Sequence, residues 1–452
     1  MVDVGPARPH PGALLHVLVE LVAPSAVLVD EVAGRVVPQP PVPALPVLVA
    51  GAAQQPDGKA VYLDNFGPMT RLTRGTQLKI QDMQNLYAQS DYSGKFEAWG
   101  VKHAVLAGVD YAQEKRQVYS ALTAAQGGVN LTKPNTSVGT PNDGAWIDEG
   151  SRVLRVGNEY VSKGWGVYGQ DLVQVAPDWK ILGGLRYDSM TGDYDTFNAA
   201  TGAVTGSYRM KVSEWSKRFG VLYQPSPLHS FHFSYGTSFN TSGEAYSLGA
   251  ANVNTPPESS ENLELGARIE SADKKFTSRV ALFKSTKKHE RNTDPLLPGI
   301  TVLSGKRHVA GIDADIAGYI TPQWEVFGSY MWMPVAKIDI GAQGAEGQGA
   351  RPSLTPKHSG TVWSTYRITP QIRVGAGLNF RSSQTPIRNP GWSVPSYVTG
   401  DLMAEYAIDV DRIILKANIS NVSNKLYADA LYSGHYIPGA GRLFQVSAKF
   451  KF

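Results

Sequence analysis

An all-β fold, a transmembrane antiparallel β-barrel, is predicted by three features of this 452-residue chain. Long segments alternate between apolar and polar residues, the connections between them alternate short and long, and the last residue, Phe452, belongs to a strand. Period-two alternation gives a strand one apolar and one polar face. Tight turns at one end and longer loops at the other are the asymmetry of barrels that cross a membrane. A terminal strand with no tail over its edge invites aggregation in an open soluble sheet, whereas a closed barrel has no free edge.

Composition points the same way. Hydrophobic residues make up 42% of the chain and charged residues 18%, with 46 glycines and 21 tyrosines. That balance suits strands that meet lipid between two aromatic girdles. The sequence has no apolar run of about 18 residues, so any membrane crossing falls to strands. A net charge of +4 leaves no nucleic-acid footprint, and no nucleic-acid partner is expected. Without cysteine, no disulfide, iron–sulfur or zinc-thiolate site can form.

Residues 1–58 stand apart. The first fifty contain no Lys, Asn, Ile, Thr, Phe, Tyr or Trp. Three readings fit: a short secretory core at Gly12–Val19, a Pro-rich disordered linker, or non-native sequence from a GC-rich misassigned start. The third is preferred, and no function is assigned there. The barrel is assigned to 59–452.

From Lys59 onward the composition is strand material. Gln77–Phe96 and Val101–Gln117 read as a hairpin turning at Ala98-Trp99-Gly100. Further short turns fall at Ala176-Pro177-Asp178, Pro225-Ser226-Pro227, Ala272-Asp273-Lys274, Thr321-Pro322-Gln323, Thr369-Pro370-Gln371 and Asp409-Val410-Asp411. Long connections fall near 119–157, 194–206, 241–258, 286–306, 337–356, 383–395 and 423–440. Between them Phe231, Phe233 and Tyr235 oppose His232 and Ser234, and Leu263, Leu265 and Ile269 oppose Glu264 and Arg268. The last run sets Phe444, Val446, Ala448 and Phe450 against Gln445, Ser447 and Lys449. About fifteen or sixteen strands follow residue 59. A soluble sandwich or propeller would alternate too, but with its apolar rows buried.

Several motifs carry a resemblance. Asn418-Ile419-Ser420-Asn421-Val422, Asn424-Lys425, Tyr427 and Pro438-Gly439-Ala440-Gly441-Arg442 precede the last strand. Upstream stand Pro257-Glu258 with Glu264-Leu265-Gly266, Gly311-Ile312-Asp313-Ala314-Asp315 with Gly318, and Ile320-Thr321-Pro322-Gln323-Trp324. Pro356-Lys357-His358, Val362-Trp363, Tyr397 and Asp401 complete the series. In this order they resemble TonB-dependent outer-membrane receptors, in particular ferric-siderophore receptors of the catecholate type. The resemblance implies a bacterial outer-membrane location, a 22-stranded barrel around a plug, and a monomer meeting lipid and lipopolysaccharide. It also implies transport energised by TonB acting through the plug. No plug is recognisable and about six strands are absent, so the chain reads as a truncated receptor that couples to TonB only if a plug is supplied.

Catalytic motifs are missing. No His-Glu-x-x-His occurs, and Gly299–Lys306 has one residue too many for a phosphate loop and Arg307 where Ser or Thr belongs. The chain reads as a binder and not as an enzyme, with no cofactor and no metal ligands of its own; a ferric siderophore is its transported ligand. Such ligands are bulky, anionic and aromatic, so cationic and aromatic side chains on outer loops are the candidates. One group is Lys287, Lys288, His289 and Arg291, returning through Lys306, Arg307 and His308. A second is Arg381, Arg388 and Trp392; a third is Tyr432, His435 and Tyr436. Against them stands the plainer reading that these charges only solvate the loops or meet lipopolysaccharide phosphate. Glu264, Arg268, Asp313 and Asp315 are expected to line the lumen and to pair with one another or with a plug. Two further functions compete with the receptor: a passive porin-like channel and a receptor fragment without activity.

Overall fold

The computed structural model describes residues 16–21, 53–54, 67–74, 79–241, 248–249, 253–293, 301–341, 347–386, 393–409, 412–432 and 435–450. Sixteen strands form one sheet in which every hydrogen-bonded neighbour is antiparallel. They are β1 (His16–Leu21), β2 (Ile80–Ala98), β3 (Val101–Ala121), β4 (Leu154–Ala176), β5 (Trp179–Phe197) and β6 (Val204–Ser226). The sheet continues with β7 (His229–Asn240), β8 (Glu258–Glu270), β9 (Phe276–Thr293), β10 (Thr301–Thr321) and β11 (Trp324–Ile340). It ends with β12 (His358–Arg367), β13 (Ile372–Arg381), β14 (Tyr397–Asp409), β15 (Ile413–Ser420) and β16 (Leu443–Phe450). Strand order follows chain order, the meander that short turns and returning loops dictate.

The short turns are built by local chemistry. At Trp99-Gly100 both residues have positive φ, 51° and 76°, the mirror-image turn whose twist matches a hairpin. At Pro177-Asp178 and Pro322-Gln323 the proline fixes the first turn residue, and a bulge beside each turn restores the ladder.

Where the apolar rows point separates a membrane wall from a soluble sandwich. Leu265 is 56% exposed, Leu378 53% and Ile408 52%, and Phe231, Phe233, Leu263, Leu282 and Leu402 are exposed with them. Among the described residues no second sheet lies over these side chains. They form an outward band for acyl chains, while His232, Glu264, Asp313 and Arg373 stand on the other face.

Aromatic rows bound that band. Trp165, Tyr187 and Trp215 pack in sequence across β4–β6, with ring centroids 5.5 and 5.0 Å apart. At the short-turn end Trp179, Tyr223 and Phe231 do the same across β5–β7, at 4.6 and 6.1 Å. Tyr187 lies eight residues from Trp179 along β5, and Trp332 eight from Trp324 along β11. Eight residues are roughly 26 Å of strand, close to the height of the apolar band of an outer-membrane barrel.

Strands β3–β6 run 21, 23, 19 and 23 residues, well beyond what spanning needs. Past the outer row their hydrophobic phase inverts. Asp193, Arg209 and Lys211 take the outward positions, and Tyr160, Met190, Tyr194, Tyr208, Met210 and Val212 the inward ones. With Leu248 from the 241–257 connection these form the cluster of buried apolar side chains among the described residues.

Candidate functional site

The inner wall of the outer half, where β7–β10 meet the inverted segments of β4–β6, brings charge and aromatic surface together. A depression of about 300 Å³ is lined by Ser238, Glu258, Ser260, Ser285, Lys287 and Arg307, with Phe239 and Asn240 at the end of β7. Phe239 also packs against the tyrosine–methionine cluster. Lys287 and Arg307 face each other in the β9–β10 register. Lys287 Nζ lies 3.0 Å from Glu258 Oε2 and 3.6 Å from Glu290 Oε1, and Arg307 Nε lies 2.7 Å from Glu290 Oε2. Glu258 is 6% exposed, and the Lys287 ammonium beside it offsets part of the burial of its charge. The result is a neutral, alternating lattice of two cations and two carboxylates beside three serine hydroxyls. An arriving anion could take over the cations' hydrogen bonds at the cost of displacing the carboxylates.

The first sequence-predicted group is not a loop. Thr286 to Lys288 pair residue by residue with His308 to Lys306, because the alternation of β9 and β10 continues past the membrane and the ladder with it. The pairing splits the group by face. Lys287 and Arg307 stand inward, whereas Lys288 and Lys306 share the outward face with Leu282 and Ile312. His289 is the extra residue of a bulge, at φ 55°, with Nδ1 3.4 Å from Ser259 Oγ. His308 pairs with Asp339 at 2.8 Å. Arg291 belongs to β9, and its side chain lies outside the described residues. Gly305 and Lys306 sit inside β10, as does the stretch from Thr301 that leads to them, while 299–300 lie outside the described residues.

Arg381, of the second group, reaches the hairpin that carries the third. Arg381 stacks over Tyr397 at 5.8 Å and donates to the Asp429 carbonyl at 3.4 Å. Tyr397 packs on Tyr427, ring centroids 4.4 Å apart. Asp429 belongs to the hairpin Ala428–Tyr432/His435–Pro438, which pairs Leu431 with Tyr436 and Tyr432 with His435. Burial raises the Tyr427 phenol above its ordinary range, helped by the nearby Asp429 charge. Arg388, Trp392 and the side chain of His435 lie outside the described residues.

Three of the four residues expected in the lumen pair with other neighbours. Glu264 accepts His232 at 2.7 Å, Arg268 bonds Glu270, and Asp315 meets Arg279 at 3.7 Å. A second inner-wall depression of about 310 Å³ surrounds Arg186, which lies 2.6 Å from both Asp110 and Asp188. Sequence reasoning passed over both this network and the tyrosine–methionine cluster. The signal available was the phase inversion around Met190–Tyr194 and Tyr208–Val212.

The motif residues near the C-terminus are structural. Asn421, at φ 47° and 4% exposed, donates to the Lys425 and Ala440 carbonyls and accepts from Lys425 N. Asp401 accepts from Asn421 N and from Asn379. Gly439 lies against the Tyr427 ring, where a Cβ would come within 2.0 Å of Cζ. These contacts return the loop to β16.

An outward apolar band between aromatic rows, a polar inner wall and long outer extensions define an outer-membrane β-barrel protein. The profile of the family described as TonB dependent receptor-like, beta-barrel, matches residues 51–422, and the chain belongs to that family of receptors, which are not enzymes. A probable TonB-dependent siderophore receptor, PiuA of Acinetobacter baumannii, is 26% identical over 404 residues, 82% of this chain and 53% of the relative. The catecholate siderophore receptor Fiu of Escherichia coli K12 is 25% identical over 408 residues, 82% of this chain and 52% of the relative. The crystal structure of PiuA superposes with a TM-score of 0.74 at 24% identity, covering 84% of this chain and 58% of that one. The closed form of Fiu also gives 0.74, at 22% identity, covering 85% and 57%. The chain thus spans about half the length of these curated relatives.

Proposed function

We propose that this chain forms the ligand-facing wall of an outer-membrane receptor for ferric siderophores, of the catecholate class. The observation that carries the reading is the inner-wall depression that holds Lys287 and Arg307 together with Phe239, which packs against the tyrosine–methionine cluster. Aromatic faces stack on catechol rings, and the two cations meet the negative charge of the iron complex. The siderophore is cargo, its iron already saturated by the ligand's own oxygens, which leaves His289 and His435 no place on the metal. Arg381 with Tyr397 and Tyr427 would form a second wall of the same vestibule. Energy from TonB belongs to the complete receptor, through the plug.

Titration of the full chain in neutral detergent with a ferric tricatecholate, followed by tryptophan quenching, tests the reading. Ferric citrate, a ferric hydroxamate and haem serve as competitors. Saturable binding that prefers the catecholate supports it. No saturable quenching by any ferric complex, together with a large steady current in planar bilayers, would make the chain a pore.

A further inference from the structure

Two ionisable side chains of β3 and β4 stand where the outward band calls for apolar ones. Residues directly opposite in an antiparallel pair share a face. Tyr111 lies across from Trp165 and Tyr187 from Val167, so the odd-numbered positions of these strands face outward with the aromatic rows. His103 and Asp171 belong to that set, among Val105, Val173, Ile181 and Leu185. Asp171 lies across from Gly183, which is four residues from Trp179 and four from Tyr187. Four residues are about 13 Å of strand, so the carboxylate sits in the middle of the band. Its short side chain cannot carry the charge to either aqueous side, as a lysine stem would.

His103 Nδ1 lies 2.6 Å from Asp171 Oδ2, which satisfies one nitrogen and one oxygen. His103 is 9% exposed, and its Nε2 is buried without a hydrogen-bond partner among the described residues, as is Asp171 Oδ1. Phe96 stacks on the imidazole at 5.0 Å, and Trp99 meets it edge-on at 6.0 Å. Trp99 is 92% exposed, so little holds it there. Around the carboxylate the outward face is shallow: Ala107, Gly169 and Gly183 flank it, and a Cβ at either glycine would meet nothing within 4 Å. Small residues of this kind let two membrane surfaces approach closely, and polar groups then bond across them. Acyl chains bring neither donor nor acceptor to this depth. An occupant that satisfies the pair must bring one of each, and a second copy of this chain brings the same two atoms. Across a two-fold axis each leftover donor meets the other copy's leftover acceptor. We infer that two copies associate in the membrane plane through the outward face of β3–β5, exchanging His103–Asp171 hydrogen bonds over Gly169 and Gly183, with Trp99 displaced from the imidazole. The pairing departs from the monomer that the family resemblance implies, and it does not depend on the ligand.

The chain has no cysteine, so single thiols can report the contact. In phosphatidylcholine vesicles, oxidation should link the full-length Gly169→Cys chain into dimers and leave Leu265→Cys, on the band of β8, unlinked. Sedimentation equilibrium of the full chain in neutral detergent reads the dissociation constant of the dimer. His103→Leu with Asp171→Leu, which suits the face to lipid, should raise that constant about tenfold or more. Gly183→Leu, which fills the shallow floor and keeps both polar groups, should raise it as well and serves if the double variant fails to fold. A parent that is monomeric in detergent and unlinked through Gly169→Cys in vesicles would overturn the inference. So would a dimer that both variants leave unchanged, or one linked as readily through Leu265→Cys.

Discussion

A single residue can be read two ways in a barrel wall, and face decides between them. Lys287 and Lys288 are neighbours in sequence, yet one belongs to the inner lattice with Glu258 and the other to the outer surface with Glu261. Replacing Lys287 and Arg307 together by Gln should therefore weaken ferric-catecholate binding by about tenfold or more, since charge-assisted hydrogen bonds to an anion are worth ~1.5–3 kcal/mol each. Isothermal titration on the double variant reads this directly. Asp143, in the long connection between β3 and β4, gives a pH prediction. The backbone N–H of Ala145 and the ion pair to Arg74 at 2.9 Å hold its carboxyl below the usual carboxylate range. A depressed folded value means that stability is present above the unfolded value of about 3.9 and is lost as pH falls through the folded one. Carboxyl NMR titration should find its midpoint below that of a free aspartate, and Arg74→Ala should move it upward.

Strands impose their own rules, because each side chain must suit lipid or lumen. Leu265 sits mid-band on the outward face, so Leu265→Arg should destabilise the protein by about 2–4 kcal/mol in refolding equilibria into vesicles. On the inner face Trp363 lies over Gly375 and Gly377, and a Cβ at Gly377 would come within 2.2 Å of the ring. Gly377→Ala must displace that indole, at a cost of about 1–3 kcal/mol. A shift in intrinsic fluorescence and a lowered unfolding midpoint would report it; an unchanged spectrum would contradict the packing.

For the molecule as a whole, the aromatic rows fix its depth in the bilayer. Lipids brominated near the headgroup should quench Trp165, Trp215 and Trp332 strongly in single-tryptophan variants and leave Trp363, on the lumenal face, bright. Uniform protection of all four would restore the sandwich. Strand direction adds a constraint. β2 and β16 both run toward the short-turn side, and β1, antiparallel to β2, runs the other way, so the two edge strands of the sheet, β1 and β16, have the opposite senses that antiparallel pairing needs.

The chain's letters alone determined most of the strands after residue 59, the alternation of turns with loops and the outward band, though not β1 or the outer ends of β9 and β10. Each is a local consequence of period-two patterning or of turn residues such as Pro177, Gly100 and Pro322. They also carried the family likeness, because residues such as Asn421 and Gly439 serve backbone geometry that few side chains can meet. Only the tertiary structure decided which charges stand together. Lys287 meets Glu258 across 29 positions, and Tyr160 meets Tyr194 across 34, through strand register. Register is a property of the paired sheet, and a slip of one residue would send every one of these side chains to the opposite face.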